Sequence, residues 1–197
     1  IQKSRSVMGT ELARWTRDIL EKDFFTKAIC LTQAQWRREG DLEVLLQTML
    51  LLDNRSENYE YRAISNTEVL KYCSHIRGRF SPEKRVVIEE LFDYLSEAFS
   101  DKCKFLKKSA VPMVAVIGKL ALENGITPEQ YRGFIDSFAN TVNEEYEANK
   151  GNGNVKRVKT EGRLLAMADD FGQYFNISNL VVIGGSAESE DANEAED

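Results

Sequence analysis

Between Val111 and Leu122 the sequence reads VPMVAVIGKLAL, which is apolar on nearly every side of a helix. Only Gly118 and Lys119 interrupt the apolar residues, so a helix formed here has no face that suits solvent. The stretch is also well short of the roughly 20 residues that a membrane-spanning helix needs. We therefore expect a helix that is buried among other helices in a soluble domain.

The neighbouring segments predict amphipathic helices. From Leu42 to Leu50, for example, LEVLLQTML places its leucines and methionine at the spacing of one helix face. Only three prolines occur in 197 residues, which favours long helices over a loop-rich β fold. The sequence therefore predicts the all-α fold class, a single compact multi-helix bundle of about seven helices around the buried central helix.

Several polar residues stand where helices are expected to begin. The predicted N-caps of four helices are Thr32, Ser65, Ser81 and Thr127. At a further junction, Gly40 is expected to end a short helix and Asp41 to cap the next one. Gly125 is expected to end the central helix.

The net charge of −6 is concentrated at the C-terminal end. Residues 186–197, SAESEDANEAED, contain six acids and no base, so the rest of the chain has 32 − 6 = 26 acids against 26 bases. A neutral body argues against a uniformly basic DNA-binding surface but is compatible with local basic patches. We expect residues 1–177 to form the helical domain and residues 178–197 to comprise an apolar patch and a disordered acidic tail, with docking onto a partner as the alternative.

The cysteines and the single histidine give no sign of a metal or catalytic centre. Cys30, Cys73 and Cys103 are widely spaced, with no C-x-x-C pair and no secretory signal, which favours reduced thiols in the cytoplasm. His75 has no second histidine or cysteine at ligand spacing. We therefore predict no catalytic residue, no metal ligand and no membrane association for this chain.

The glycine-rich loop KGNGN and the basic segment after it form the best local candidate for a binding site. Backbone N–H groups at a helix start, together with basic side chains, can hold a phosphate. The candidate residues are Lys150, Gly151, Gly153, Lys156, Arg157, Lys159 and Arg163. GNGN matches neither a Walker A loop nor a dinucleotide fingerprint, so a plain interhelical turn is the alternative.

Two further charged segments have both a structural and a functional interpretation. In DKCKFLKK, lysines flank Phe105 and Leu106; the segment can contact phosphates or form a solvated turn with two buried apolar residues. A second charge cluster lies at the predicted helix junction and comprises Arg37, Arg38, Asp41 and Glu43. Ion pairs that fix the junction are its usual role, and a functional site is the alternative.

A series of segments occurs in the following order: QKSRSVMGTELA, the DFF that ends the first helix, RREGDLEVLLQTMLLL, YEYRAISNTEVLKY, FDYLSEAF, KFLKKSAVPMVAVIGKLALENGITPEQY and the glycine loop running into VKTEGRLLAM. In this order they resemble the helical C-terminal half of the prokaryotic DGQQR-motif family. That family includes the S part of GmrSD-type modified-DNA restriction systems and SspE-like phage-defence proteins. The resemblance covers most of residues 2–175.

The resemblance implies that this chain is an accessory helical domain. In that family, an N-terminal domain similar to the ParB and sulfiredoxin fold carries the DGQQR motif and is linked to nucleotide hydrolysis or DNA cleavage. No DGQ occurs in this sequence, and residues 2–5 resemble the start of the family's helical half, so we expect the catalytic half upstream in a longer polypeptide. An NTP and a divalent metal are then expected in the full-length protein, and no cofactor in this segment.

Two functional hypotheses follow. In the first, the chain is the accessory or regulatory domain of a phage-defence restriction protein and supports DNA or nucleotide engagement by the missing domain. The alternative is a non-catalytic module for protein–protein interaction or oligomerisation. An independent enzyme has the least support, because no nucleophile or phosphate-loop motif is present. The expected partners are the upstream domain, DNA and a second copy of the chain.

Overall fold

The computed structural model describes residues 2–184, so the acidic tail predicted at residues 186–197 lies outside the described residues. Residues 2–184 form ten α-helices and one π-helical segment and contain no β-strand, which confirms the all-α prediction. In chain order the elements are α1 (Gln2–Met8), α2 (Thr10–Leu20), the π-helical segment (Phe24–Ala28), α3 (Gln33–Arg37), α4 (Gly40–Arg55), α5 (Asn66–Ile76), α6 (Pro82–Ala98), α7 (Val111–Glu123), α8 (Pro128–Asn140), α9 (Glu144–Ala148) and α10 (Arg157–Phe175). The π-helical segment, α1, α3 and α9 are short, and the other helices have eleven residues or more.

Helix α7 occupies the centre of the body. Its residues from Val111 to Gly118 are buried, as are Leu120 and Ala121. Helices α4, α6, α8 and α10 all pack against it. Lys119 reaches the surface, where its ammonium lies 3.2 Å from the Glu123 carboxylate. The prediction of a buried central helix is therefore confirmed.

Helix α4 is buried as deeply as α7, although its sequence predicts a single buried stripe. Every residue from Leu42 to Asn54 is buried. The polar members of this set are Glu43, Gln47, Thr48, Asp53 and Asn54. Helix α4 contacts α2, α3, α5 and α7, so its polar side chains meet partners that the local sequence does not reveal.

The predicted helix starts are confirmed at four positions and wrong at one. The side chains that accept a hydrogen bond from the backbone N–H three residues later are those of Thr32, Ser65, Ser81 and Thr127. At the remaining junction Glu39, with φ of 56°, is the N-cap of α4 in place of the predicted Asp41, and the helix begins at Gly40. A Cβ on Gly40 would come within 2.9 Å of the Gln35 carbonyl oxygen. Glycine is therefore needed there for a close backbone approach and not to end a helix.

The segment after α10 packs back on the body. Val182 is buried, and the Arg55 Nε donates to the Val181 carbonyl at 2.6 Å. Gly184 lies so close to the Asn54 carbonyl that a side chain there would overlap it. Of the apolar patch predicted within residues 178–197, Val182 thus packs on its own chain, whereas the Val181 side chain is 57% exposed.

Candidate functional site

A groove of about 370 Å³ lies between the segment that leads into α7 and the region around the end of α8 and α9. We call it the basic groove. Its charged and aromatic lining residues are Lys104, Phe105, Lys107, Phe138, Tyr146, Glu147 and Lys150. Three lysines and one glutamate give these residues a formal charge of 3 − 1 = +2. The groove thus joins two basic segments that are more than 40 residues apart in the sequence.

Aromatic side chains form one wall of the basic groove. The Phe105 ring lies 5.8 Å from the Phe138 ring, and Phe138 meets Tyr146 nearly edge-on at 5.1 Å. Phe138 and Tyr146 are buried and Phe105 is half-buried. Burial raises the pKa of Tyr146 to about 12, so its hydroxyl is neutral at physiological pH. The packing of these rings on one another fixes the shape of the wall.

The three lysines differ in whether their ammonium groups already contact a carboxylate or an aromatic ring of the protein. Lys104 and Lys107 are exposed, and no carboxylate among residues 2–184 pairs with either. Lys150 Nζ lies 2.6 Å from Glu147 and 5.8 Å from the centre of the Tyr146 ring. Lys104 and Lys107 are therefore the cations with the most freedom to contact an anion in the groove.

Arg163 was a candidate phosphate contact, but it lies inside the protein with 1% of its surface exposed. Its Nη1 donates to the Ser109 carbonyl and its Nη2 to the Asn154 carbonyl, each at 2.6 Å. Its Nε donates to the Lys159 carbonyl at 3.3 Å. Burial lowers the pKa of Arg163, and these carbonyl oxygens replace the water that the guanidinium has lost. The residue joins the segment before α7 to the glycine loop, so it positions the groove from within.

The glycine loop itself directs carbonyl groups towards α10. Gly151 and Gly153 have φ of 79° and 74°, which favours glycine at both positions. The Lys159 ammonium donates to the Asn152 carbonyl at 3.1 Å and to the Lys150 carbonyl at 3.4 Å. Lys159 is thus engaged by the loop that it follows, which matches the interhelical-turn interpretation more closely than a phosphate cradle.

The two remaining loop candidates, Lys156 and Arg157, do not line the basic groove. The Arg157 Nε donates to Glu161 at 2.7 Å, and the guanidinium lies 5.4 Å from the centre of the Tyr61 ring. Lys156 is the exposed N-cap residue of α10, and within residues 2–184 it has no carboxylate partner. Of the seven predicted phosphate contacts, only Lys150 lines the groove.

The predicted charge cluster is not held together by ion pairs. Arg37 and Arg38 are exposed, and neither has a carboxylate partner within residues 2–184. Glu43 turns inwards and pairs with Lys108 at 2.7 Å. Asp41 is half-buried, with no cation paired to it in the described part of the chain. Glu43 therefore joins α4 to the segment before α7 through this ion pair.

The sequence did not reveal the combination of Lys104, Lys107 and Lys150. The lysines around Phe105 give a local signal, but their distance from Lys150 in space depends on the packing of α7, α8 and α9.

Within residues 2–184, no group of three or more His, Cys, Asp or Glu side chains is arranged to hold a metal ion. Every helix in that range falls short of the length or the hydropathy needed to cross a bilayer.

Comparisons with protein-family models, curated proteins and solved structures find no match to this chain.

Proposed function

We propose that this chain is the helical accessory domain of a DGQQR-motif restriction protein of the GmrSD and SspE type, and that the basic groove contacts the phosphate backbone of DNA. The observation that carries the DNA contact is the convergence of Lys104, Lys107 and Lys150 beside an aromatic wall. Lysine ammonium groups contact phosphate oxygens and hold nucleic acid without reading its base sequence.

The proposal assigns the chemistry to another part of the polypeptide. NTP hydrolysis or DNA cleavage, with its nucleotide and divalent metal, would reside in an upstream catalytic domain. The helical body would hold DNA for that domain, and both would act in the cytoplasm. The free thiols of Cys30, Cys73 and Cys103 are compatible with that location.

The experiment measures DNA binding by fluorescence anisotropy across a salt series. The test variant replaces Lys104 and Lys107 by alanine, and the matched control replaces Lys27 and Lys71, two other exposed lysines, by alanine. Both variants lose two positive charges. Because each phosphate contact contributes about 0.9 to the slope of log affinity against log salt, the test variant should lower that slope by about 2 and the control should leave it unchanged.

Two outcomes would contradict a DNA contact in the groove. One is the absence of binding by the wild-type chain at low salt. The other is an equal loss of affinity in the test and control variants, since that would reflect net charge alone.

An oligomerisation module is the second candidate function, and one observation favours it. Val158 and Leu165 lie seven residues apart on α10 and are 78% and 47% exposed. This spacing puts both side chains on one face of the helix, where a second copy of the chain could cover them. Light scattering measures the oligomeric state of the wild type and of Leu165→Glu. An oligomeric wild type and a monomeric Leu165→Glu variant would support oligomerisation through this face. A monomer in both samples would leave DNA engagement as the remaining proposal.

A further inference from the structure

A second cleft, on a different part of the body, is lined almost entirely by positive and small side chains. It has a volume of about 480 Å³ and lies between the α1–α2 junction and the end of α5. Its lining includes Arg5, Gly9, Ala13, Arg14, Arg17 and Arg77. We call it the arginine cleft. It shares no lining residue with the basic groove, and within the described part of the chain its lining carries four guanidinium groups and no carboxylate.

The protein neutralises only one of these four charges. Arg5 pairs with Glu39 at 3.0 Å. Arg14, Arg17 and Arg77 are exposed, and no carboxylate of residues 2–184 lies within ion-pair distance of them. The cleft therefore has a surplus of three positive charges among the described residues.

The start of helix α2 adds further donors at the same place. Gly9, with φ of 89°, precedes the helix, and no side chain caps the first turn. The Arg77 Nε lies 4.0 Å from the position that a Cβ on Gly9 would occupy. One guanidinium therefore lies next to the backbone N–H groups and the positive end of the helix dipole, so a single ligand can contact both.

The lining also limits the class of ligand. Guanidinium groups bind phosphate oxygens through paired, charge-assisted hydrogen bonds. The volume falls within the roughly 300–1,000 Å³ of small-molecule pockets. Among the described residues, the lining contains one hydrophobic side chain, that of Ala13, and no aromatic ring that could stack on a base. These features suit a small, highly charged anion better than a nucleobase or an acyl chain.

We propose that the arginine cleft binds a compact anion that carries two or more linked phosphate groups. The several guanidinium groups contact separate phosphates, and the N-terminus of α2 contributes backbone donors. This site is independent of the DNA contact proposed for the basic groove, because the two share no residue.

Isothermal titration calorimetry of the full chain with inorganic tripolyphosphate tests the proposal. The test variant replaces Arg14 and Arg17 by alanine, and the matched control replaces Arg37 and Arg38, two other exposed arginines that lie outside the cleft. The test variant should lose at least about tenfold in affinity, because it loses charge-assisted contacts, and the control should bind like the wild type. Orthophosphate should bind at least about tenfold more weakly than tripolyphosphate, since it spans fewer guanidinium groups.

A second variant, with Arg14 and Arg17 both replaced by lysine, keeps the charge but removes the paired donors. It should fall between the wild type and the alanine variant in affinity. Thermal unfolding followed by circular dichroism checks that all variants are folded. An alanine variant that is unfolded would leave the lysine variant to decide, and a lysine variant that binds like the wild type would contradict the proposed paired contacts.

Three results would overturn the proposal. The first is no saturable binding of tripolyphosphate to the wild-type chain. The second is an equal loss of affinity in the test and control variants. The third is that a peptide with the sequence of residues 186–197, which offers six carboxylates, binds the wild-type chain as tightly as tripolyphosphate does. The cleft would then accept any anion with a high density of charge. DNA binding that is unaffected by the test variant would show that the two sites are separate.

Discussion

Helices α4 and α7 are both buried, but for different reasons. No charged or strongly polar side chain lies among the buried residues of α7, so its composition alone requires it to be surrounded. Helix α4 buries Glu43, Gln47, Asp53 and Asn54, whose burial is costly unless each finds a partner. The comparison shows that a helix can reach the core through its own apolar surface or through polar contacts supplied by the rest of the chain.

The partners of α4 come from distant segments. Gln47 Nε2 donates to the Ile64 carbonyl at 2.7 Å. Asp53 accepts hydrogen bonds from the Tyr72 hydroxyl at 2.8 Å and from the Lys84 ammonium at 2.7 Å. Burial, followed by the charge of Asp53, raises the pKa of Tyr72 well above its usual value, so the hydroxyl remains a neutral donor. The burial of α4 therefore depends on at least three other parts of the chain.

Ile117→Ala in α7 should give the largest loss of stability. Ile117 is completely buried, and the substitution removes apolar contacts and leaves a cavity. We expect the free energy of unfolding to fall by about 2–5 kcal/mol. Urea denaturation measures the change, with Val86→Ala, at a position that is 49% exposed, as the control. Losses of similar size in both variants would contradict the central role of α7.

Asp53→Ala in α4 should have the next largest effect. It leaves the buried Tyr72 hydroxyl without an acceptor and Lys84 without its ion-pair partner, at a cost of about 1–3 kcal/mol in the free energy of unfolding. Asp53→Asn keeps an acceptor for Tyr72 and should lose less. If the two variants are equally destabilised in urea, the charge of Asp53 matters more than its hydrogen bond to Tyr72.

Two glycine substitutions should act in opposite directions. Gly40→Ala at the start of α4 would push a methyl group against the Gln35 backbone and should cost about 1–3 kcal/mol. Gly133→Ala in α8 meets only the Tyr174 hydroxyl at 3.7 Å and should stabilise the protein by up to about 1 kcal/mol through helix propensity. Melting temperatures that shift in the same direction would show that the contact at Gly40 does not determine the start of α4.

Glu123→Gln should have the smallest effect and should depend on pH. Arg55 of α4 reaches Glu123 of α7 at 3.1 Å and 2.5 Å. Burial alone would raise the pKa of Glu123, but the hydrogen bonds and charges of Arg55 and Lys119 outweigh it and lower the pKa. The pair therefore stabilises the fold above the unfolded pKa of about 4.3, and this contribution disappears as pH falls through the lower folded pKa.

At neutral pH the Glu123 pair should contribute less than about 1 kcal/mol, because it is partly exposed. Urea denaturation of the wild type and of Glu123→Gln across pH 3–7 measures the difference, which should be largest at neutral pH and vanish in acid. A difference that is constant across this range would show that the charge of Glu123 is not what links α4 to α7.

The sequence predicted those features that depend on neighbouring residues. The all-α class and the burial of α7 follow from local hydrophobic pattern. The N-caps at Thr32, Ser65, Ser81 and Thr127 follow from local hydrogen-bonding chemistry. The prediction that Asp41 caps α4 is wrong, because the helix starts at Gly40, where the Gln35 backbone approaches closely.

The candidate site was predicted only in part. The sequence predicts that Lys150 lies in a basic binding loop, and Lys150 does line the basic groove. It also predicts that Arg163 contacts phosphate, but Arg163 is buried against carbonyl groups. A sequence shows that an arginine is present and gives no direct sign of whether its guanidinium faces solvent or backbone. The grouping of Lys104 and Lys107 with Lys150, and of Arg77 with the arginines of α1 and α2, brings together residues from separate segments.

By itself the sequence determined that this chain is helical and that Val111–Leu122 lies at its centre, because helix formation and apolar burial depend on short-range pattern. Only the tertiary structure decided which polar side chains of α4 enter the core and which cations line the basic groove and the arginine cleft. Those outcomes depend on distances between residues far apart in the chain, and such distances are fixed only when the helices pack.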